Sequence, residues 1–359
     1  MEKEYKYLVC TRCFTFNHAP YIVDAMNGFT MQKTTFPVVT VIVDDASTDG
    51  EQDVIRQYLN DYFQEPFRTE ETEHAHIICA NHKFNPNCQF VVLLLKYNHH
   101  SNKISKLPYI AIWFDNAKYH ALCEGDDYWI DSHKLQMQVD FLESNPDYTM
   151  TCNRTQRYSV RQKKMIGENY CYENSQEINP KDIIYRTGLF ISTCSIVYRK
   201  WVTDNKPDYW QKCKVGDYPL QIACAMKGKT YYFNQIMSVY RVQNPKSWTG
   251  QQKWKTLDKQ LMEVLRSLVE MLKGFRNDYP GYKDIFTKKI VDEINRNIPK
   301  QASSQDYKQY FTYFAKDISQ YSLRGKLDMY FRTCRIPKVK GLYAKFFLEK
   351  YNQKCIGYD

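Results

Sequence analysis

Glu124, Asp126 and Asp127 crowd three carboxylates into four residues, directly after the apolar run Ala121-Leu122-Cys123. Like charges at that spacing repel unless something positive sits among them. Carboxylates are hard oxygen donors, and Mg²⁺ or Mn²⁺ is commonly held by one or two of them plus the phosphates of a substrate. A cation there would offset the repulsion and screen a diphosphate at once. Gly125 lets the backbone bend tightly and approach a bulky ligand. A second acidic group, Asp44-Asp45-Ala46-Ser47-Thr48-Asp49-Gly50, follows the apolar run 38–43. Helix capping could employ Ser47, Thr48 or Asp49 in this group, and Asp131 or Ser132 after the first. It leaves the adjacent carboxylates without a task.

The elements that must carry these residues are readable from their periods. The run "YLVCTRCFTF" reads as a buried strand, and Ile22, Ala25, Met26 and Phe29 then recur at helical spacing. "VVTVIV" is a second strand, and Val54, Ile55, Tyr58, Leu59 and Tyr62 mark a second helix. "HIICA", "FVVLLL" and "YHALC" are further strands. Strands alternating with helices predict an α/β fold with a mostly parallel sheet, whose ligand lies beyond the carboxyl ends of the strands. Three such ends are chemically pointed: Phe14-Thr15-Phe16-Asn17, the Asp44–Gly50 segment, and Glu124–Trp129.

Composition excludes several classes. The chain of 359 residues is 43% hydrophobic and 25% charged, which suits a globular protein and not a disordered one. No apolar run approaches the ~20 residues that span a bilayer. "MEKEYKYLVC" lacks the apolar stretch of a secretory signal, so a cytoplasmic location is expected. The 12 cysteines are scattered singly, as small core residues are. Cys10 and Cys13 form a CxxC within a strand, where a spacing of three points the side chains to opposite faces and argues against metal or redox use. Residues 1–250 hold 28 basic and 28 acidic residues, and residues 251–359 hold 22 and 12. The formal charge of +10 therefore belongs to the last third, and the expected domains are 1–250 and 251–359.

Taken in order, "TFNHAPYI", "DDASTDG" and "EGDDYWIDSHKL" resemble the motifs of the family 2 glycosyltransferases, enzymes of the GT-A fold, over roughly residues 6–250. The resemblance implies a Rossmann-like, mostly parallel sheet flanked by helices, followed by a helical C-terminal region. It implies that Phe16, between Thr15 and Asn17, packs on the base of a nucleotide-sugar donor. Asp45 is then the acceptor of a hydrogen bond from a uracil ring, and Asp44 its neighbour toward the ribose. Glu124-Gly125-Asp126 is similar to the D-x-D element. Asp126 is the expected ligand of Mn²⁺ or Mg²⁺, with Asp127 beside it; Glu124, one methylene longer than the usual Asp, contacts either the metal or, instead of it, the ribose. Lys106, like Lys103, falls where relatives often place a basic residue near the donor, and a solvated charge run is the alternative. Arg241 and Trp248 match residues of a strand and loop that fold over the diphosphate, while Gln243 stands where many relatives carry His.

By the same resemblance, Asp217 in "KVGDYPLQIACA" is the general base of an inverting transfer, taking a proton from the acceptor hydroxyl. The plainer reading of Asp217 is a helix cap. Thr193 and Ser195 lie near the expected acceptor side, though ordinary strand residues would read the same. The expected function is a metal-dependent glycosyltransferase of hexosyltransferase type, with a UDP-sugar the first choice of donor. Its acceptor would be a glycan or lipid-linked hydroxyl in surface polysaccharide synthesis. The alternative is a GT-A-like nucleotide-sugar-binding or scaffolding protein without chemistry. No nucleic-acid module is visible, and the sequence does not set the oligomeric state. Residues 324–354 hold nine Lys or Arg against two acids, interleaved with aromatics. That mixture suits either an anionic membrane surface or packing of the aromatics against the catalytic domain.

Overall fold

The strand–helix alternation closes into one twelve-stranded mixed sheet in the computed structural model, which describes residues 5–186, 190–244, 259–297, 312–314 and 317. Its centre is parallel. β1 (Tyr7–Thr15) lies between β2 (Val38–Asp44) and β6 (Ala117–Leu122), and β2 pairs on its far side with β5 (Cys88–Leu95). Every residue of β2 is buried, as expected for a strand covered on both faces. β3 (Arg68–Glu71) and β4 (Ala75–Asn81) extend this edge in antiparallel pairing. "HIICA" is thus not a parallel strand: the short link at 82–87 allows a hairpin, whereas a parallel return needs a dozen or more residues. On the other side of β6 come β11 (Val197–Arg199), β8 (Tyr148–Ser159), β12 (Lys229–Val242) and β10 (Gln176–Glu177). β7 (Tyr128–Trp129) pairs with β12, and β9 (Lys164–Asn169) with β8.

Helices cover both faces. α1 (Ile22–Thr30), α2 (Glu51–Tyr62) and α4 (Lys134–Ser144) bury Ile22, Met26, Phe29, Ile55, Leu59, Leu135 and Val139 on one side, where Cys13 also points. α3 (Leu107–Phe114) buries Ile110 and Trp113 on the other, with Cys10. The CxxC side chains do lie on opposite faces, and the ten described cysteines are free thiols. At Gly28 helix α1 meets β7 so closely that an added Cβ would come within 2.8 Å of the Trp129 backbone nitrogen. α5 (Pro180–Tyr185) and α7 (Asp217–Lys227) complete this part.

The chain divides into two compact units, Met1–Lys206 with Gly216–Gln252, and Pro207–Val215 with Lys253–Asp359. In the second, α6 (Asp208–Gln211) packs on α8 (Lys259–Asp278), where Tyr209 lies against Gly274. α9 (Lys283–Arg296) returns along α8, stacking Phe286 on Phe275. No helix among the described residues is long and apolar enough to cross a membrane. Residues 324–354 and Trp248 lie outside the described residues.

Candidate active site

The three pointed strand ends meet at the carboxyl edge of the parallel strands, and side chains lock them together. After β1, Asn17 adopts φ 57°, a left-handed conformation that Asn tolerates. Its Oδ1 accepts from the Thr48 amide at 2.8 Å, and its own amide donates to Ser47 Oγ at 2.8 Å. After β2, Ala46 is also left-handed at φ 58°, a costlier choice for a residue with no local hydrogen-bonding side chain. Two bonds hold the turn there: Ser47 N donates to Asp44 Oδ1 at 3.0 Å, and Asn98 Nδ2 donates to the Asp45 carbonyl at 3.1 Å.

The expected helix caps form only in part. Ser47 accepts from the Asn17 amide, while Asp49 accepts from Ala19 and, at 3.3 Å, from Glu51, the first amide of α2; left-handed Gly50 at the helix entry has no side-chain cap of its own. At α4 the preceding residue is His133, again without one, and Asp131 instead accepts from the His133 amide at 2.8 Å.

Asp45 is almost fully buried, and its carboxylate accepts from the His99 amide at 2.7 Å, the His100 amide at 3.1 Å and Lys106 Nζ at 2.7 Å. It thus anchors the segment that brings Lys106 to the site, while Lys103 stays exposed. Lys106 and Arg12 both lie over the Phe14 ring, 5.4 and 4.8 Å from its centroid. Phe16 is half-buried at the same edge. Asp44 is buried, with Oδ1 accepting from Gln52 at 2.6 Å and Oδ2 meeting no partner among the described residues. A cavity of about 480 Å³ opens beside this strand end, lined by Ser47, Thr48, Arg56, His76 and Lys96. Asp126 and Asp217 take no part in it.

The three clustered carboxylates have three different fates. Glu124 accepts from the Phe14 amide at 2.9 Å and pairs with Arg12 at 3.4 Å; burial raises its pKa and Arg12 opposes the rise. Asp127 is buried, its Oδ1 accepting from the Arg241 amide at 2.8 Å. Burial, then the neighbouring Asp126, pushes its pKa well up. Asp126 makes no side-chain hydrogen bond among the described residues; beside it stands His18, whose Nε2 lies 3.7 Å from Oδ2. Arg241 braces the turn and is itself buried. It donates to the Asp126 carbonyl at 2.8 Å, pairs with Asp24, and lies between the rings of Tyr21 and Tyr128. Gln243 is turned away, accepting from Ser159 at 2.7 Å.

Gly125 is required by what packs on it. A Cβ there would overlap the Thr15 hydroxyl, which donates to the buried Glu51. Burial raises the Glu51 pKa to about 7 against the pull of donors from Thr15, His18 and Ser47. Gly125→Ala is expected to lower stability by about 1–3 kcal/mol, the usual cost of overpacking. Urea unfolding monitored by circular dichroism checks this, and an unchanged midpoint would mean that the turn yields freely.

Asp217 opens α7, where the helix N-terminus favours a negative charge. Its Oδ1 accepts from the Tyr218 amide at 2.8 Å and its Oδ2 from Thr193 Oγ1 at 2.9 Å. Thr193 belongs to a single 3₁₀ turn, Thr193–Ser195, that precedes β11 and is not part of the strand. That turn is tied to the acidic cluster: Trp129, two residues after Asp127, donates its indole N–H to the Cys194 carbonyl at 2.8 Å. The half-buried Tyr240 hydroxyl feels Asp127, Asp126 and Asp217 together; burial raises its pKa first and these carboxylates add to the rise. The structure therefore links the turn that carries Asp126 to Asp217, 91 positions away in the chain, through Trp129, the Cys194 carbonyl and Thr193. His18, Glu51 and Tyr240 have no counterpart in the motif reading. The only local sign of His18 is its place directly after Asn17.

No protein-family model matches the chain. One uncharacterized protein of Mycobacterium bovis and two of Mycobacterium tuberculosis are 25% identical over 328 residues, covering 90% of this chain and 83% of theirs. Among solved structures, S. aureus TarS superposes with a TM-score of 0.57 at 14% identity, over 92% of this chain and 53% of that one. The chain thus spans about half the length of that structure. A shorter TarS structure, residues 1–349 in complex with UDP, gives 0.51 at 13% identity, covering 93% and 82%. A mannosyltransferase from Pyrobaculum calidifontis in complex with GDP-Man and Mn²⁺ gives 0.50 at 11% identity, covering 98% and 86%. Together with the parallel centre, the acidic turn after β6 and the helix that begins at Asp217, these likenesses establish that the chain has the GT-A fold of glycosyltransferases.

Proposed function

We propose that this chain transfers a sugar, with inversion, from a nucleotide-diphosphate sugar to a hydroxyl of a glycan or lipid-linked acceptor. On this fold, the acidic turn of Asp126 and the helix start at Asp217, joined through Trp129, the Cys194 carbonyl and Thr193, carry the reading. Among the described residues no three His, Cys, Asp or Glu side chains gather closely enough to hold a metal ion unaided. A single free carboxylate at Asp126 fits a Mn²⁺ or Mg²⁺ that completes its shell with substrate phosphates. Such an ion, when bound, would supply charge stabilisation to the departing diphosphate.

The protein's own groups do the rest. Phe14 and Phe16 offer aromatic surface at the nucleotide end, with Arg12 and Lys106 beside Phe14. Asp217, held at both oxygens by Thr193 and the Tyr218 amide, accepts the acceptor's hydroxyl proton as that oxygen attacks the anomeric carbon. UDP is the first choice of nucleotide, and surface polysaccharide the first choice of product.

Thermal unfolding of the full chain with UDP-, GDP- and dTDP-sugars, with and without Mn²⁺, tests the reading. One sugar nucleotide is expected to raise Tm in a metal-dependent way; a ligand at a hundred times its Kd adds about 2.7 kcal/mol. No shift with any of them, with or without the metal, would reject it.

A further inference from the structure

We propose that His18 is a nitrogen ligand of the catalytic cation, sharing it with Asp126, and that the site therefore prefers Mn²⁺ to Mg²⁺; this rests on the function proposed above. The argument starts from a buried relay. As the carboxylate, Glu51 accepts hydrogen bonds from the Thr15 hydroxyl, the His18 amide at 2.8 Å and the Ser47 hydroxyl at 2.8 Å. While its hydroxyl donates to that carboxylate, Thr15 Oγ1 can meet His18 Nδ1, 3.2 Å away, only as an acceptor. In that state of Glu51 the neutral imidazole carries its proton on Nδ1, and Nε2 presents a lone pair. That lone pair lies 3.7 Å from Asp126 Oδ2.

Two electron-pair donors thus face each other beyond hydrogen-bond distance. Two ligands each about 2.1 Å from one ion must lie within about 4.2 Å of each other, and this pair does. Orientation of a ligating imidazole through its other nitrogen by a carboxylate network is the usual support of a histidine ligand. The side chains of His18 and Asp126 keep 10% and 14% of their exposure, so the pair is held but open on one side. Gly125, whose missing Cβ makes room for Thr15, joins the relay to the acidic turn. Imidazole is a better donor to Mn²⁺ than to Mg²⁺, which favours oxygen alone.

The test uses the full chain, Mn²⁺ and UDP or GDP as probes. Pulsed electron paramagnetic resonance of the wild-type Mn²⁺–nucleotide complex is expected to show coupling to one imidazole ¹⁴N, which disappears in His18→Ala. Calorimetry is expected to show Mn²⁺ binding weakened at least about tenfold in His18→Ala, with Mg²⁺ binding changed less than about twofold. The wild-type spectrum needs no variant, so a folding defect cannot blur the answer. Absence of nitrogen coupling in wild type, or equal loss of Mn²⁺ and Mg²⁺ in the variant, overturns the proposal. Asp126→Ala separates the two levels. If it abolishes Mn²⁺–nucleotide binding while wild type lacks nitrogen coupling, only the His18 ligand is rejected. If Asp126→Ala binds as wild type does, the functional reading fails with it.

Discussion

Asp217→Asn is expected to lower kcat by about a hundred- to ten-thousand-fold while leaving nucleotide-sugar binding unchanged, the usual range for loss of a general base. The carboxylate has two acceptor oxygens, and both are matched: Thr193 donates to one and the Tyr218 amide to the other. An amide keeps one acceptor and turns an NH₂ group toward the second donor, so the residue can neither take a proton nor hold its place as well. Among the described residues Asp217 makes no hydrogen bond or ion pair to the Asp44–Asp45 turn or to Asp126, which is why donor affinity should survive. Single-turnover rates with saturating donor, set beside calorimetric donor affinity, separate the effects. Wild-type turnover in the variant would place the base elsewhere. Loss of donor binding would make Asp217 a structural cap.

Asp126→Ala should act on the opposite term. Metal-dependent nucleotide affinity is expected to fall by about a hundredfold or more, since a bound ion stabilises phosphoryl charge by several kcal/mol. Stability without ligand should barely change. The Asp126 side chain makes no hydrogen bond among the described residues, and its removal relieves the repulsion on buried Asp127. The backbone carbonyl that Arg241 grips is untouched by the substitution. UDP and GDP titrations with Mn²⁺ and with chelator decide the matter. Equal affinity under all conditions would show that Asp126 holds no cation.

The chain's periods and turn residues were enough to place β1, β2, β4, β5 and β6, helices α1 and α2, and the acidic turns, because these depend on neighbours within a few positions. The all-buried run 38–43 could only be an interior strand, and the glycine within the three carboxylates marked a bend. The direction of β4 was less legible, since an apolar strand reads the same whichever way its neighbour runs. Charge and spacing alone left Glu124, Asp126 and Asp127 three clustered carboxylates, ranked as ligands only through the family resemblance. Only the tertiary structure told them apart, by delivering the Phe14 amide and Arg12 to the first and the Arg241 amide to the last. It likewise brought Thr193 to Asp217, and His18 with its Glu51 relay to Asp126. These partners are separated by 24 to 114 positions in sequence. Which donor reaches which carboxylate depends on how parallel crossovers align the strand ends, and on which face each side chain leaves its strand. Neither is encoded in any short segment.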